Sequence, residues 1–374
     1  MLEFNGSPRM TLGVEIELQL LDAVTRDLTP GAPLVLELLG EDEKHIKPEI
    51  FRGMLEINTG VCSRISEVRV DLQSAMTRLR DVCGPIGVAL ASAGSHPFAR
   101  HRGRLVYPST RFASVIDRHR WLARRLMIFG VHVHVGARDG DHAMAMLNGF
   151  AQYLPHVLAL SASSPFWQGS DTGLASSRIT IFEAVPTAGH PCLFANWAEF
   201  QVFYEAAVRS RAIKSTKDIW WDIRPQPEYG TVEVRVCDGL PTISEAVNLA
   251  AFVHCLFCWL DERYRDRELL SPPPYWVLRE NKWRASRWGL DADIVTTDTG
   301  YNRPLRGEIE RLFRVLEPFA ATLECCAELG ALATMMDVGL SYQRQRAVYD
   351  ASQDLQMVTE TLVHELRTDR PFVC

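Results

Sequence analysis

The stretch DIWWDIRPQPEYGTVEVRVCD, residues 218–238, ends in a regular alternation. In an extended chain Val232, Val234 and Val236 point to one side, and Thr231, Glu233 and Arg235 to the other. Any half-buried surface strand can look like this. Three further segments repeat the pattern with polar residues that are harder to dismiss. GVEIEL (13–18) puts Glu15 and Glu17 on one face, MLEIN (54–58) Glu56 and Asn58, and GVHVHV (130–135) His132 and His134. If the four strands lie side by side, one face of their sheet carries carboxylates, imidazoles and an arginine, and that lining is a candidate site.

Working outward, residues 11–22 read as the first strand, followed by a polar turn and a short helix near 33–39. Residues 49–58 read as extended. Helical periodicity covers 63–84, 109–125, 141–161 and 196–211, then 242–265, 275–288, 305–329 and 341–366. GVALASAG (87–94) reads as a small-residue buried strand. Between 161 and 178 runs SASSPFWQGSDTGLASSR, a long Gly/Ser-rich loop of the kind that is functional or disordered, and Phe166 and Trp167 argue for order. No repeat or low-complexity linker divides the chain. A single α+β catalytic domain over 1–374 is expected, with a helical C-terminal third, about 242–374, packed on the sheet.

The composition fits a soluble globular chain: 374 residues, 47% hydrophobic, 23% charged and a formal net charge of −6. The negative balance argues against nucleic acid as the main partner. The first residues lack the basic-then-apolar pattern of a secretory signal, and the apolar run 249–260 is too short to span a bilayer. No membrane partner and a cytoplasmic location with reduced thiols are therefore expected. Cys255-x-x-Cys258 has no second pair and reads as buried packing. His96 and His190 read as loop histidines, and Trp220 and Trp221 as core. Lys282, Arg284 and Arg287 form either a solvated helix face or a phosphate-reaching patch, with the former favoured.

Gathering Glu15, Glu17, Glu56 and Glu233 on one surface costs repulsion and desolvation unless cations neutralise them. Hard divalent ions suit such a set, so Mg²⁺ or Mn²⁺ is expected in preference to zinc, with one imidazole. Arg235, Arg224 and Arg178 beside those acids point to phosphoryl chemistry. The sequence contains no GxxxxGK[ST], no GxGxxG after a strand and no GxSxG.

Together EIE (15–17), EIN (56–58), GVHVHVG (130–136), residues 163–178, residues 218–238 and NKWRASRWGLDA (281–292) closely resemble the carboxylate-amine ligases of the glutamate–cysteine ligase type 2 family. The resemblance implies a glutamine-synthetase-like catalytic fold, a curved, mainly antiparallel sheet with flanking helices. It also implies ATP-dependent joining of a carboxylate, typically the γ-carboxylate of glutamate, to an amine such as that of cysteine, commonly in a homodimer or larger assembly. By position Glu15, Glu17, Glu56, His132 and Glu233 match metal-binding residues. Arg235 would face the phosphates, and Arg178 would hold a substrate carboxylate or phosphate. Many members have Glu where this chain has Ile16, which would point away from the site. Two other readings stand beside this one: a metal hydrolase using His132, His134 and acids, and a nucleotide- or amino-acid-binding protein without turnover.

Overall fold

The structure is a computed structural model and describes residues 2–40, 42–268, 272–297 and 299–372. Seven strands form the main sheet: β1 (Leu12–Asp22), β2 (Ile46–Pro48), β3 (Met54–Asn58), β4 (Val88–Ala91), β5 (Val131–Gly136), β6 (Ile223–Gln226) and β7 (Thr231–Val234). Their order is β6-β7-β5-β1-β3-β2, with β4 pairing the far end of β1 beyond β5. These pairings are antiparallel.

The register turns sequence alternation into a site. Glu15 sits opposite His132 on one side and Asn58 on the other. Glu17 faces Glu56, Glu233 faces His134, and Arg224 faces Glu233. Directly opposed residues share a face, so all these groups project to the same side. Val14, Ile16, Val131, Val133, Val135, Val232 and Val234 take the other side and are buried against helices. Those helices include Ile65–Cys83, Gly140–Phe150 and Ile243–Arg265. The last is, among the described residues, the one helix long and apolar enough to cross a membrane, but 83% of its apolar window is buried within the fold. Thr242 caps it, accepting from the Glu245 backbone N–H.

Several boundaries differ from the sequence reading. Residues 49–58 are not one strand, because the chain turns through 49–53 and folds β2 back on β3. The helix expected over 141–161 breaks at 151–153, just before Pro155, whose ring and missing N–H begin a new helix, Leu154–Ser161. The 109–125 helix ends at His119, since Arg120 takes φ 50°. The 305–329 and 341–366 segments likewise split, each at a residue with positive φ, Glu324 and Gln353. The ladder of β7 stops at Val234, where the Arg235 and Val236 N–H groups both donate to the Asp222 carbonyl.

The 161–178 loop is ordered around one carboxylate. Asp238, fully buried, accepts from Ser163 N at 2.9 Å, Ser164 Oγ at 2.6 Å and Ser176 Oγ at 2.8 Å. Gly94 lets it in: a Cβ there would lie 2.5 Å from the Asp238 carboxyl.

Candidate active site

The polar face of the sheet opens into a cavity of about 250 Å³. Glu15, Glu17, Glu56, His132, Glu233, Arg178, Arg224 and Arg235 all line it, so every site residue expected from the sequence meets in one place. His134 and Glu49 join them.

The acids divide into three groups whose ligand atoms lie within 4.8 Å of one another: Glu17–Glu49–Glu56, Glu15–Glu56–His132 and Glu15–His134–Glu233. Glu15 Oε2 meets His132 Nδ1 at 3.2 Å, and Glu15 Oε1 lies 3.5 Å from His134 Nε2. Burial alone would raise the Glu15 carboxyl, but hydrogen bonds from His132 and then His134 outweigh it and hold it well below the usual range. Burial also opposes charging of His134, yet Glu233 and Glu15 raise it. His132 is lowered by burial, assisted by Arg235.

Glu233 is almost completely compensated. Arg224 donates through Nε to Oε2 at 2.7 Å and through Nη2 to Oε1 at 3.2 Å, Gln226 Nε2 donates at 2.6 Å, and Arg235 Nη1 donates to Oε1. Against its burial, Arg224 and Arg235 hold its carboxyl far below the ordinary value. Arg224 also donates to the Ile219 carbonyl at 2.7 Å, so its guanidinium is occupied by the protein. Arg178 is buried, with both Nη atoms 3.3 Å from the Arg235 carbonyl and its guanidinium 5.7 Å from the Phe182 ring centre. Gly130 makes room for it, since a Cβ would lie 2.3 Å from Arg178 Nη2.

The opposite end lacks such compensation. Burial, with Glu17 close by, pushes the Glu49 carboxyl up to about 8. Burial and the neighbouring Glu15, Glu49 and Glu17 raise Glu56 well above the carboxylate range, although Asn58 Nδ2 donates to it at 3.0 Å. Oxygen donors held together against repulsion are what a hard divalent cation neutralises. The Nε2 atom of His132 is buried without a hydrogen-bond partner, and the His132 Nδ1–H toward Glu15 leaves it free as a ligand. The donor set therefore fits a metal, and it is mainly oxygen. The two imidazoles fall into different groups, which does not favour the paired-histidine zinc site of the hydrolase reading.

Glu49 is the functional candidate that alternation missed. In an unbroken strand 49–58 its side chain would oppose that of Glu56, and the turn at 49–53 reverses this parity. Gln226 shares the face of Arg224 two residues away, a signal present in the sequence. Trp220 is not core: it is half-exposed, lines the cavity and stacks on Phe182 at 6.0 Å, whereas Trp221 is buried. His96 lies in a loop, as read, and is fully buried there, its Nε2 2.8 Å from the Arg26 carbonyl. Lys282 belongs to neither reading given for its helix, because it is buried and paired with Glu183 and Asp222.

Solved structures share this architecture. A bifunctional glutathione synthetase from Pasteurella multocida superposes with TM-score 0.70 at 15% identity, covering 96% of this chain and 52% of that one, about half its length. A glutamate–cysteine ligase from Francisella tularensis, solved with AMP, gives TM-score 0.69 at 12% identity over 98% of this chain and 90% of that one. The fold is thus that of the glutamine-synthetase-like ligases.

The family model described as glutamate–cysteine ligase family 2 matches residues 11–363, and the chain belongs to that family. A relative from Bdellovibrio bacteriovorus, named as a candidate glutamate–cysteine ligase 2, is 45% identical over 100% of this chain and 98% of its own length. Another so named, from Thermobifida fusca, is 43% identical over 100% and 94%. Family and fold together make the protein an ATP-dependent ligase that joins a carboxylate to an amine.

Proposed function

We propose that the acid substrate is glutamate, joined through its γ-carboxylate to cysteine or another amine by way of an acyl phosphate, with ADP and phosphate released. The observation that carries this reading is the convergence of the Glu15–Glu17–Glu49–Glu56 acids and the Arg178–Arg235 cations in a single cavity. The names of the relatives supply the substrate pair.

Glu15, Glu17, Glu56, His132 and Glu233 are assigned as metal ligands, with Glu49 added from the geometry. These residues would hold Mg²⁺, or Mn²⁺, and the charge neutralisation such an ion would supply suits phosphoryl transfer. Arg235, anchored by Glu233, stabilises the transferring phosphoryl group. Arg178, held by main-chain carbonyls over Phe182, orients a substrate carboxylate or phosphate. Arg224 acts through Glu233 and is a positioning residue. Buried walls keep water from the activated carbonyl until the amine attacks. Activation is required because a free carboxylate is a poor electrophile, and the acyl phosphate supplies a leaving group.

The reading includes a cytoplasmic setting, supported by eight described cysteines that are all free thiols. It also includes a homodimer, supported by Trp276, Trp283 and Trp288 exposed along one helix. ADP release should be measured with Mg²⁺, glutamate and a panel of amines, with products identified by mass. Glu233→Gln and Arg235→Ala should each lower kcat on the order of 10²–10³-fold. Wild-type turnover in either variant removes the role assigned to it.

A further inference from the structure

Among the described residues, two cations lining this cavity, Lys47 and Arg111, make neither a hydrogen bond nor an ion pair, and Arg111 is the one carried on a helix rather than on the sheet. Helix Thr110–His119 contains no fully buried residue, yet it contributes Arg111, Phe112 and Val115 to the cavity lining. It is not hydrogen-bonded to the sheet. Its side-chain anchors include Lys214 Nζ donating to Ser114 Oγ at 2.8 Å, Arg118 donating to the Ala212 carbonyl, ring contacts of Phe112 with Tyr107 and His119 with Trp220, and packing of Val115 and Ile116 on neighbouring apolar clusters. The helix ends at Arg120, whose φ of 50° is costly for a residue with a Cβ.

Apart from Lys47, a point charge without the planar fork of arginine, the other lining cations are already committed. Arg224 and Arg235 bind Glu233, and Arg178 binds main-chain carbonyls. Lys217 pairs with Glu228 at 3.3 Å, and Lys47 stands directly across the β2–β3 pair from Glu56. Among the described residues Arg111 makes neither a hydrogen bond nor an ion pair. It lines the same cavity as Glu17, Glu49 and Glu56. Arginine recognises carboxylates and phosphates by two parallel hydrogen bonds, and an exposed, uncommitted one at the mouth of an acid-lined cavity suits an arriving anion.

We propose that Arg111, carried on the Thr110–His119 helix, binds an anionic group of a substrate in the cavity that also holds the Glu17–Glu49–Glu56 cluster. The anion is either a phosphate of ATP or the carboxylate of the acid substrate. Resting on the ligase reading above, this adds a substrate-binding residue that the strand alternation cannot reveal, because it comes from a helix over the sheet and not from the sheet.

The test compares the wild-type protein with Arg111→Ala and Arg111→Lys. Steady-state kinetics give KM for ATP and for glutamate, and calorimetry measures binding of a non-hydrolysable ATP analogue with Mg²⁺ and of glutamate alone. Arg111→Ala should weaken one of the two anions about ten- to a hundredfold with an unchanged melting temperature, and Arg111→Lys should restore part of the loss. A rise confined to ATP assigns the phosphate, and a rise confined to glutamate assigns the carboxylate. Wild-type affinities and KM values for both in Arg111→Ala overturn the proposal. A wild-type protein that forms no ADP with any acid and amine would instead refute the ligase reading, and the calorimetric comparison would still decide the role of Arg111.

Discussion

At the scale of single residues, the site places function against stability. Glu49 and Glu56 are held near other acids by the register of β1, β2 and β3, at a cost that a bound cation would offset. Replacing Glu49 with Gln should therefore stabilise the metal-free protein, by on the order of 1 kcal/mol, while metal-dependent ADP formation falls at least about 10²-fold. The sign follows from the carboxyl being raised to about 8 in the folded chain from an ordinary 4.5. Below pH 4.5 both states are protonated and the substitution gains nothing. As pH rises toward 8 the wild-type penalty grows, and so does the advantage of Gln. Urea unfolding at pH 4 and pH 8 in a chelator checks this, and an equal effect at both would refute it. Gly130 gives a second prediction: Gly130→Ala should displace Arg178 and raise a substrate KM with little loss of melting temperature.

At the scale of elements, strands were more legible than connections. Period-two alternation exposes which residues share a face, so Glu15, Glu17, Glu56, His132, Glu233 and Arg235 could be read together before any pairing was known. Parity survives only while a strand is unbroken. The turn at 49–53 therefore hid Glu49, and nothing in helical periodicity told that the helix at 110–119 overhangs the site. Helix ends at Glu324 and Gln353 were also invisible, because neither is the glycine that usually signals a left-handed residue. The 161–178 loop is held by a contact 62–75 residues away in sequence, which local patterns cannot show. Asp238→Ala should strip that loop of its anchor, leaving three buried donors without an acceptor, and cost about 3–5 kcal/mol. Thermal unfolding and trypsin sensitivity within 161–178 measure the effect, and a shift below about 1 kcal/mol would show that the serines re-pair among themselves.

At the scale of the molecule, stability carries a pH dependence set by buried imidazoles outside the site. Burial lowers His96 and His156 to about 4 from 6.5. Above 6.5 both folded and unfolded chains hold them neutral. As pH falls from 6.5 toward 4 only the unfolded chain takes up these protons, so stability drops by roughly 1.4 kcal/mol per unit for each group. The urea midpoint should fall across that window, and His96→Gln should make the fall shallower. An unchanged slope would place the proton uptake elsewhere. The strand order has a further consequence, for synthesis. The central strand is made first and the strand bearing Glu233 only after more than half the chain, with partners from 54–58 and 131–136 inserted between them. A nascent chain on the ribosome thus cannot bring Glu233 against His134 until that late segment has emerged, so the polar face is completed late in synthesis.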